Sequence, residues 1–182
     1  MGVNVAKDVK GLQIGLVNVA QTNGVAALGL ISYSRDGLLH LQTWSSDTAP
    51  ANFALQIGTR RTCTLVGVAY SPWEPQAPFA MMLGWGVHFD RERLYASIDA
   101  LAVSHQTCSS SGSTNNLVPK LRLTVGLPFG DRFAVFGGLS MNVRIPVIGD
   151  LDGSLSWVER AGLGEENREL LLWPGAFAGV RF

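Results

Sequence analysis

Large apolar residues recur at every second position through most of this chain, with small or polar residues between them. Phe79, Met81, Leu83, Trp85, Val87 and Phe89 share one parity, against Ala80, Met82, Gly84, Gly86 and His88 on the other. The phase then switches: Leu94, Ala96, Ile98, Ala100 and Ala102 oppose Tyr95, Ser97, Asp99 and His105. Leu121, Leu123, Val125, Leu127 and Phe129 alternate with Lys120, Arg122, Thr124 and Gly126. Phe133, Val135, Leu139, Met141, Val143 and Ile145 alternate with Arg132, Ala134, Ser140, Asn142 and Arg144. The last segment sets Leu170, Leu172, Ala176, Ala178, Val180 and Phe182 against Trp173, Gly175, Gly179 and Arg181. Period two marks extended backbone, whose successive side chains point to opposite faces. With shorter stretches of the same kind upstream, ten strands are predicted: 11–20, 25–34, 38–46, 52–60, 62–71, 79–89, 94–105, 117–127, 132–145 and 169–182.

Alternation by itself does not say which face is wet. In a soluble sandwich the apolar face is the core, whereas in a transmembrane barrel it meets lipid and the polar face lines the lumen. Here the polar faces hold Gly, Ala, Ser and a few Arg, with scarcely any Lys or Glu, which suits a crowded interior. Most strands have the length a tilted strand needs to cross hydrocarbon. The connections also alternate: tight turns at Arg35-Asp36-Gly37, Arg60-Arg61, Asp90 to Arg93 and Gly130-Asp131, and longer loops at the other end, including 105–117 and 145–170. Short turns on one side and long loops on the other are the layout of outer-membrane barrels. The chain therefore reads as all-β, one domain over 1–182: an antiparallel up-and-down transmembrane β-barrel of about ten strands, with twelve as the alternative. Residues 1–34 supply repeat-derived strands and 38–182 the rest.

Composition sharpens this. Charged residues make up 15% of the chain, against about 25% in an ordinary soluble domain, so a water-facing surface is under-supplied. The 47% apolar content excludes disorder. A net charge of zero with three lysines argues against nucleic acid as a partner. No apolar run is long enough for a membrane-spanning helix, and Met1-Gly2-Val3-Asn4 is not a secretory signal. Cys63 and Cys108 have neither zinc spacing nor the numbers for a disulfide scaffold, and the topology puts them at opposite membrane faces. The 21 glycines suit inward positions of a narrow barrel.

Val3-Asn4-Val5-Ala6 recurs as Val17-Asn18-Val19-Ala20, an offset of 14 residues, and Gly24 to Ser34 is a degenerate copy of Gly11 to Ala20. That offset suggests one strand plus a turn, each repeat being a single strand of a sheet rather than a solenoid coil. The segment Gly11-Leu12-Gln13-Ile14-Gly15-Leu16-Val17-Asn18-Val19-Ala20 resembles the tandem motif of bacterial surface-repeat proteins, which implies no assignable activity and leaves room for upstream repeats and a signal peptide. The C-terminal Phe182, with Phe177 and Val180 before it, resembles the last-strand signal of bacterial outer-membrane barrels. That likeness implies outer-membrane localisation, with the lipid bilayer and the barrel-insertion machinery as partners. Pro174 departs from a regular last strand.

The predicted lumen-lining residues are Arg60, His88, Asp99, Lys120, Arg122, Arg132, Arg144 and Arg181, with His40 a further lone histidine. Inward cations suit an anion-selective constriction or a plug of Arg pairs with acids. Tyr70, Phe79, Trp85, Phe89, Phe129, Phe133 and Phe182 fall near strand ends, as membrane-interface aromatics do. Ser97, Asp99 and His105 share a face and suggest a barrel-borne lipid hydrolase, but six residues separate Asp99 from His105, roughly 20 Å at the strand rise. The acidic stretch Glu159, Glu165, Glu166 and Glu169 lacks the spacing of a calcium loop. No catalytic, cofactor or metal residue is assigned. The reading is a structural or surface-exposed barrel or a narrow solute or anion pore. The alternatives are a lipid-modifying barrel enzyme and a soluble β-barrel or sandwich binding a ligand or partner.

Overall fold

The computed structural model describes residues 2–9, 11–23, 26–29, 31–72, 78–91, 93–109, 112–130, 133–148, 165–167 and 170–182. Five short strands come first: β1 (Val3–Val9), β2 (Leu12–Ile14), β3 (Val17–Asn23), β4 (Ala26–Leu28) and β5 (Ile31–Ser34). Longer ones follow: β6 (Leu38–Ser46), β7 (Ala51–Gly58), β8 (Thr62–Tyr70), β9 (Phe79–Arg91), β10 (Leu94–Ser109), β11 (Gly112–Phe129) and β12 (Phe133–Ile148). The chain ends with β13 (Glu165–Asn167) and β14 (Leu170–Arg181).

β6 to β12 pair with their sequence neighbours, all antiparallel, and β14 closes the ring by pairing with both β12 and β6. The closed barrel has eight strands, not ten or twelve. Closure leaves no exposed ladder edge, which a sheet in hydrocarbon requires. Eight strands also fix the girth, an interior just wide enough for side chains to fill.

The missing two strands are the repeats. The predicted strands 11–20 and 25–34 do not join the barrel. Each repeat instead contributes two short strands, β1/β3/β5 forming one parallel sheet and β2/β4 another. The pairing keeps the 14-residue offset throughout, Val3 opposite Val17 opposite Ile31. This corrects the expectation of one strand per repeat: the segment is a short solenoid. The reason is chemical. Parallel stacking puts like residues above like, so the Asn4 amide donates to Asn18 Oδ1 at 3.0 Å and the Asn18 amide donates to Ser32 Oγ at 3.2 Å. An antiparallel meander would not align them. Asn18→Ala is expected to loosen this ladder by about 1–3 kcal/mol, the cost of stranding buried polar partners. Faster amide exchange confined to residues 3–34 is the check.

The repeats join the barrel through a tight turn at Arg35-Asp36-Gly37. A Cβ at Gly37 would lie 1.9 Å from the Gly58 carbonyl oxygen, so only glycine lets the chain pass the β7 end.

The largest shifts of predicted boundaries are in the β10–β11 hairpin. β10 runs to Ser109 and β11 starts at Gly112, so most of the predicted 105–117 loop is hairpin. Its residues, Gln106 to Ser109 and Gly112 to Asn116, are polar or small on both parities. Apolar alternation stops there because both faces leave the hydrocarbon, not because the strands end. The turn 59–61, the turn residue Arg93, the bend at Gly130 with its φ of 74° and the C-terminus share one end of the barrel. Of the predicted turn residues, Glu92 and Asp131 lie outside the described residues.

Candidate functional site: a filled lumen

Inward positions of the strands converge on a polar and aromatic plug. Its centre is Arg122 on β11, 3% exposed. Register places Arg122 directly opposite Asp99 on β10, and its Nη2 donates to Asp99 Oδ2 at 3.0 Å. Ser97 Oγ and Thr124 Oγ1 donate to the same oxygen at 3.1 and 3.5 Å. The guanidinium also lies over two rings, Trp44 at 4.7 Å and Phe177 at 5.0 Å. A cation between two π-faces and a carboxylate is held on three sides. Inward glycines make the room: a Cβ at Gly86 would fall 2.1 Å from Asp99 Oδ1, and one at Gly126 would fall 2.2 Å from the Tyr95 ring.

A second cluster lies toward the long-loop end. Trp173, fully buried, donates from Nε1 to Asp47 Oδ2 at 2.8 Å, and Asn142 Nδ2 donates to the same oxygen at 3.3 Å. Lys120 Nζ donates to Thr48 Oγ1 beside it. Toward the short-turn end, Gln42 Nε2 donates to Gln56 Oε1 at 2.7 Å, and Gln56 Nε2 reaches Cys63 Sγ at 3.1 Å. There too the His88 ring stacks on Tyr95, with Nε2 2.8 Å from Asp90 Oδ1. Arg181 covers the other ring, 3.8 Å from the Tyr95 centroid.

The predicted lumen residues thus divide. His88, Asp99, Lys120, Arg122 and Arg181 face inward as described, and Arg144 shares their parity on β12. Arg60 does not line the lumen: it stands on the β7–β8 turn, its side chain 71% exposed, 3.7 Å from Asp36. Its segment ends at Gly58, so alternation no longer aims it inward. Arg132, Glu159 and Glu169 lie outside the described residues, as do the side chains of Glu165 and Glu166. Among the described residues, Lys120, Arg122 and Arg181 stand at three different levels, beside a hydroxyl, an acid with two rings, and a ring respectively, rather than at one. The hydrolase arrangement does not assemble either: Ser97 and Asp99 touch, while His105 stays six residues along the same strand. Cys63 is level with Gly86 and Asp99, and Cys108 is nine residues beyond Asp99 on β10, roughly 30 Å away at the strand rise.

The aromatic half of the plug, Trp44, Tyr95, Phe136, Trp173 and Phe177, lies outside the predicted lumen-lining set. Parity could have found it, since each stands at an inward position among small or polar neighbours.

The outer wall is the chemical inverse of the lumen. Leu121, Leu123, Val125, Leu127 and Leu139 are more than half exposed with no charge among them. Tyr70 and Phe79 pair at the long-loop end, 5.3 Å between centroids. Phe129, Phe133 and Phe182 cluster at the short-turn end, 6.1 and 5.5 Å apart, with Phe89 near the same level. Ten residues separate Phe79 from Phe89, roughly 33 Å along the strand and about 25 Å once tilted, the height of a barrel's apolar band. This is the surface of a membrane-spanning barrel. Trp85 departs from the girdle: its Nε1 donates to Gly29 O of the repeats at 2.6 Å.

No protein-family model matches the chain, and no curated protein matches it. Two solved structures show a partial likeness to it. CarO of Acinetobacter baumannii is 11% identical with a TM-score of 0.38, over 79% of this chain and 96% of that one. Neisserial surface protein A is 14% identical with a TM-score of 0.38, over 79% of this chain and 91% of its own.

Proposed function

We propose that this chain is an integral barrel of a bacterial outer membrane that works as a sealed structural and surface-exposed element, not as a pore or an enzyme. The observation that carries the reading is the Arg122 layer. A guanidinium held by Asp99, Trp44 and Phe177 fills the section of an eight-stranded barrel, where little room exists to begin with. The uncharged outer wall between two aromatic girdles supports the membrane placement, and the polar β10–β11 hairpin projects beyond the long-loop girdle as a surface feature. Phe182, whose backbone bonds to Leu41 where β14 meets β6, suits recognition of the last strand by the insertion machinery.

Planar-bilayer recording tests the seal. The purified barrel is expected to insert without steady conductance, and the double variant Trp44→Ala, Phe177→Ala to open discrete channels by removing both rings from the Arg122 layer. Steady conductance from the unaltered protein would return the narrow-pore reading. Removing Phe182 should lower the amount of heat-modifiable folded barrel recovered from outer membranes, with folding from urea into vesicles little changed. Equal losses in both assays would assign Phe182 a packing role instead.

A further inference from the structure

The repeats are built inside out. In a water-borne solenoid the inner columns are apolar and the outer ones polar. Here the inner columns are Asn4-Asn18-Ser32 and Ala6-Ala20-Ser34, with Asn18, Ser32 and Ser34 buried. The outer positions hold Val3, Val5, Ile14, Leu16, Ile31 and Tyr33, between 41% and 77% exposed. The barrel shows the same inversion, for the reason that lipid stands where water would.

The repeats are also fastened to the barrel's outer wall. Thr62 Oγ1 accepts from Ala27 N and donates to Ala27 O, both at 3.0 Å, and Trp85 Nε1 donates to Gly29 O. Thr62 and Thr64 point outward from β8 yet are 9% and 3% exposed, while Val66, the next outward residue, is 43% exposed. The repeats therefore cover the two lowest outward positions of β8 at the short-turn end, and their apolar columns continue the lipid-facing belt.

One more feature sets the depth. Lys7 and Asp8 on β1 and Arg35 just after β5 are exposed, and charges so placed do not enter hydrocarbon. Apolar columns disfavour bulk water and the exposed charges disfavour the acyl core. The interfacial zone meets both conditions, and exposed Lys7 and Arg35, in the column beside Val5 and Tyr33, suit a phospholipid surface.

We infer that the 14-residue repeats are a membrane-interface element, with their outer columns seated in the headgroup and upper acyl region of the leaflet around the short-turn end of the barrel. The inference rests on the membrane-spanning reading, and its test separates the two. Val5→Cys and Leu127→Cys are made singly in a Cys63→Ser, Cys108→Ser background and labelled with an environment-sensitive fluorophore. Each is folded into phosphatidylethanolamine and phosphatidylglycerol vesicles carrying a nitroxide near the headgroup end of an acyl chain. Both labels are expected to be quenched to a comparable degree, the Val5 label with blue-shifted emission. Quenching at Leu127 with none at Val5 would overturn the inference and leave the barrel in the membrane, with the apolar columns then covered by protein or by a second copy. Quenching at neither site would overturn both.

Discussion

Asp99→Ala is expected to destabilise the barrel by about 3–5 kcal/mol, the cost of stranding one member of a buried ion pair. Asp99 is 1% exposed and Arg122 3%, so neither recovers hydration when its partner is removed. The loss is compounded because Ser97 and Thr124 donate to the same carboxylate oxygen. The guanidinium would keep its two rings, but their attraction is worth about 2 kcal/mol when desolvated, less than the ionic contact it loses. The sign of the effect reverses in the double variant. Asp99→Leu with Arg122→Met removes both charges and leaves comparable volume, and such replacements are often neutral or stabilising. Urea unfolding from phospholipid vesicles, followed by intrinsic tryptophan fluorescence, measures all three proteins. A single variant within 1 kcal/mol of the parent would mean that the pair is hydrated and the lumen open, which would also remove the basis for a sealed barrel.

The second large effect is on the outer wall. Leu123→Arg is expected to cost about 2–4 kcal/mol, as a cation at the bilayer midplane does, and Leu39→Arg about 0–1 kcal/mol. The two leucines are alike in chemistry and similarly exposed, at 53% and 60%. They differ in depth. Leu123 stands six residues above Phe129, roughly 20 Å along the strand and near the middle of the apolar band, whereas Leu39 is one residue from the start of β6 at the short-turn rim. In water an exposed Leu→Arg change moves stability by no more than about 0.5 kcal/mol wherever it sits. A difference between the two sites in vesicle-based unfolding is therefore a measurement of lipid, and equal small effects would point to a soluble β-barrel instead.

The barrel was legible because each strand reports its environment twice, by its period and by the contrast between its faces. Residues 38–46 were read with the bounds of β6 itself, and the other seven barrel strands were each placed within a few residues over most of their length. The ends moved where the signal physically disappears. Beyond His105 both faces of the β10–β11 hairpin are polar, so continuation of the ladder has no hydropathic trace. The repeats misled for a different reason. Val-Asn-Val-Ala alternates as well as any barrel strand, and period two is the same whether the next strand runs parallel or antiparallel. The 14-residue offset held the answer, since identical residues stack only in parallel register, but an isolated offset of that size also fits a strand and its turn.

The lumen shows the same division at the level of single residues. Inward parity was enough to nominate Asp99, Lys120, Arg122 and Arg181 from the amino-acid order alone. It could not pair them, because partners such as Arg122 and Trp44 lie on strands far apart in sequence and meet only across a closed ring. The amino-acid order alone carries the strand periodicity, the inversion of polar and apolar faces and hence the membrane-spanning class. The strand number, the coil path of the repeats and the filling of the lumen emerge from the folded chain. Alternation is a property of consecutive residues, whereas closure, stacking and packing depend on which distant backbones come within hydrogen-bond reach of one another.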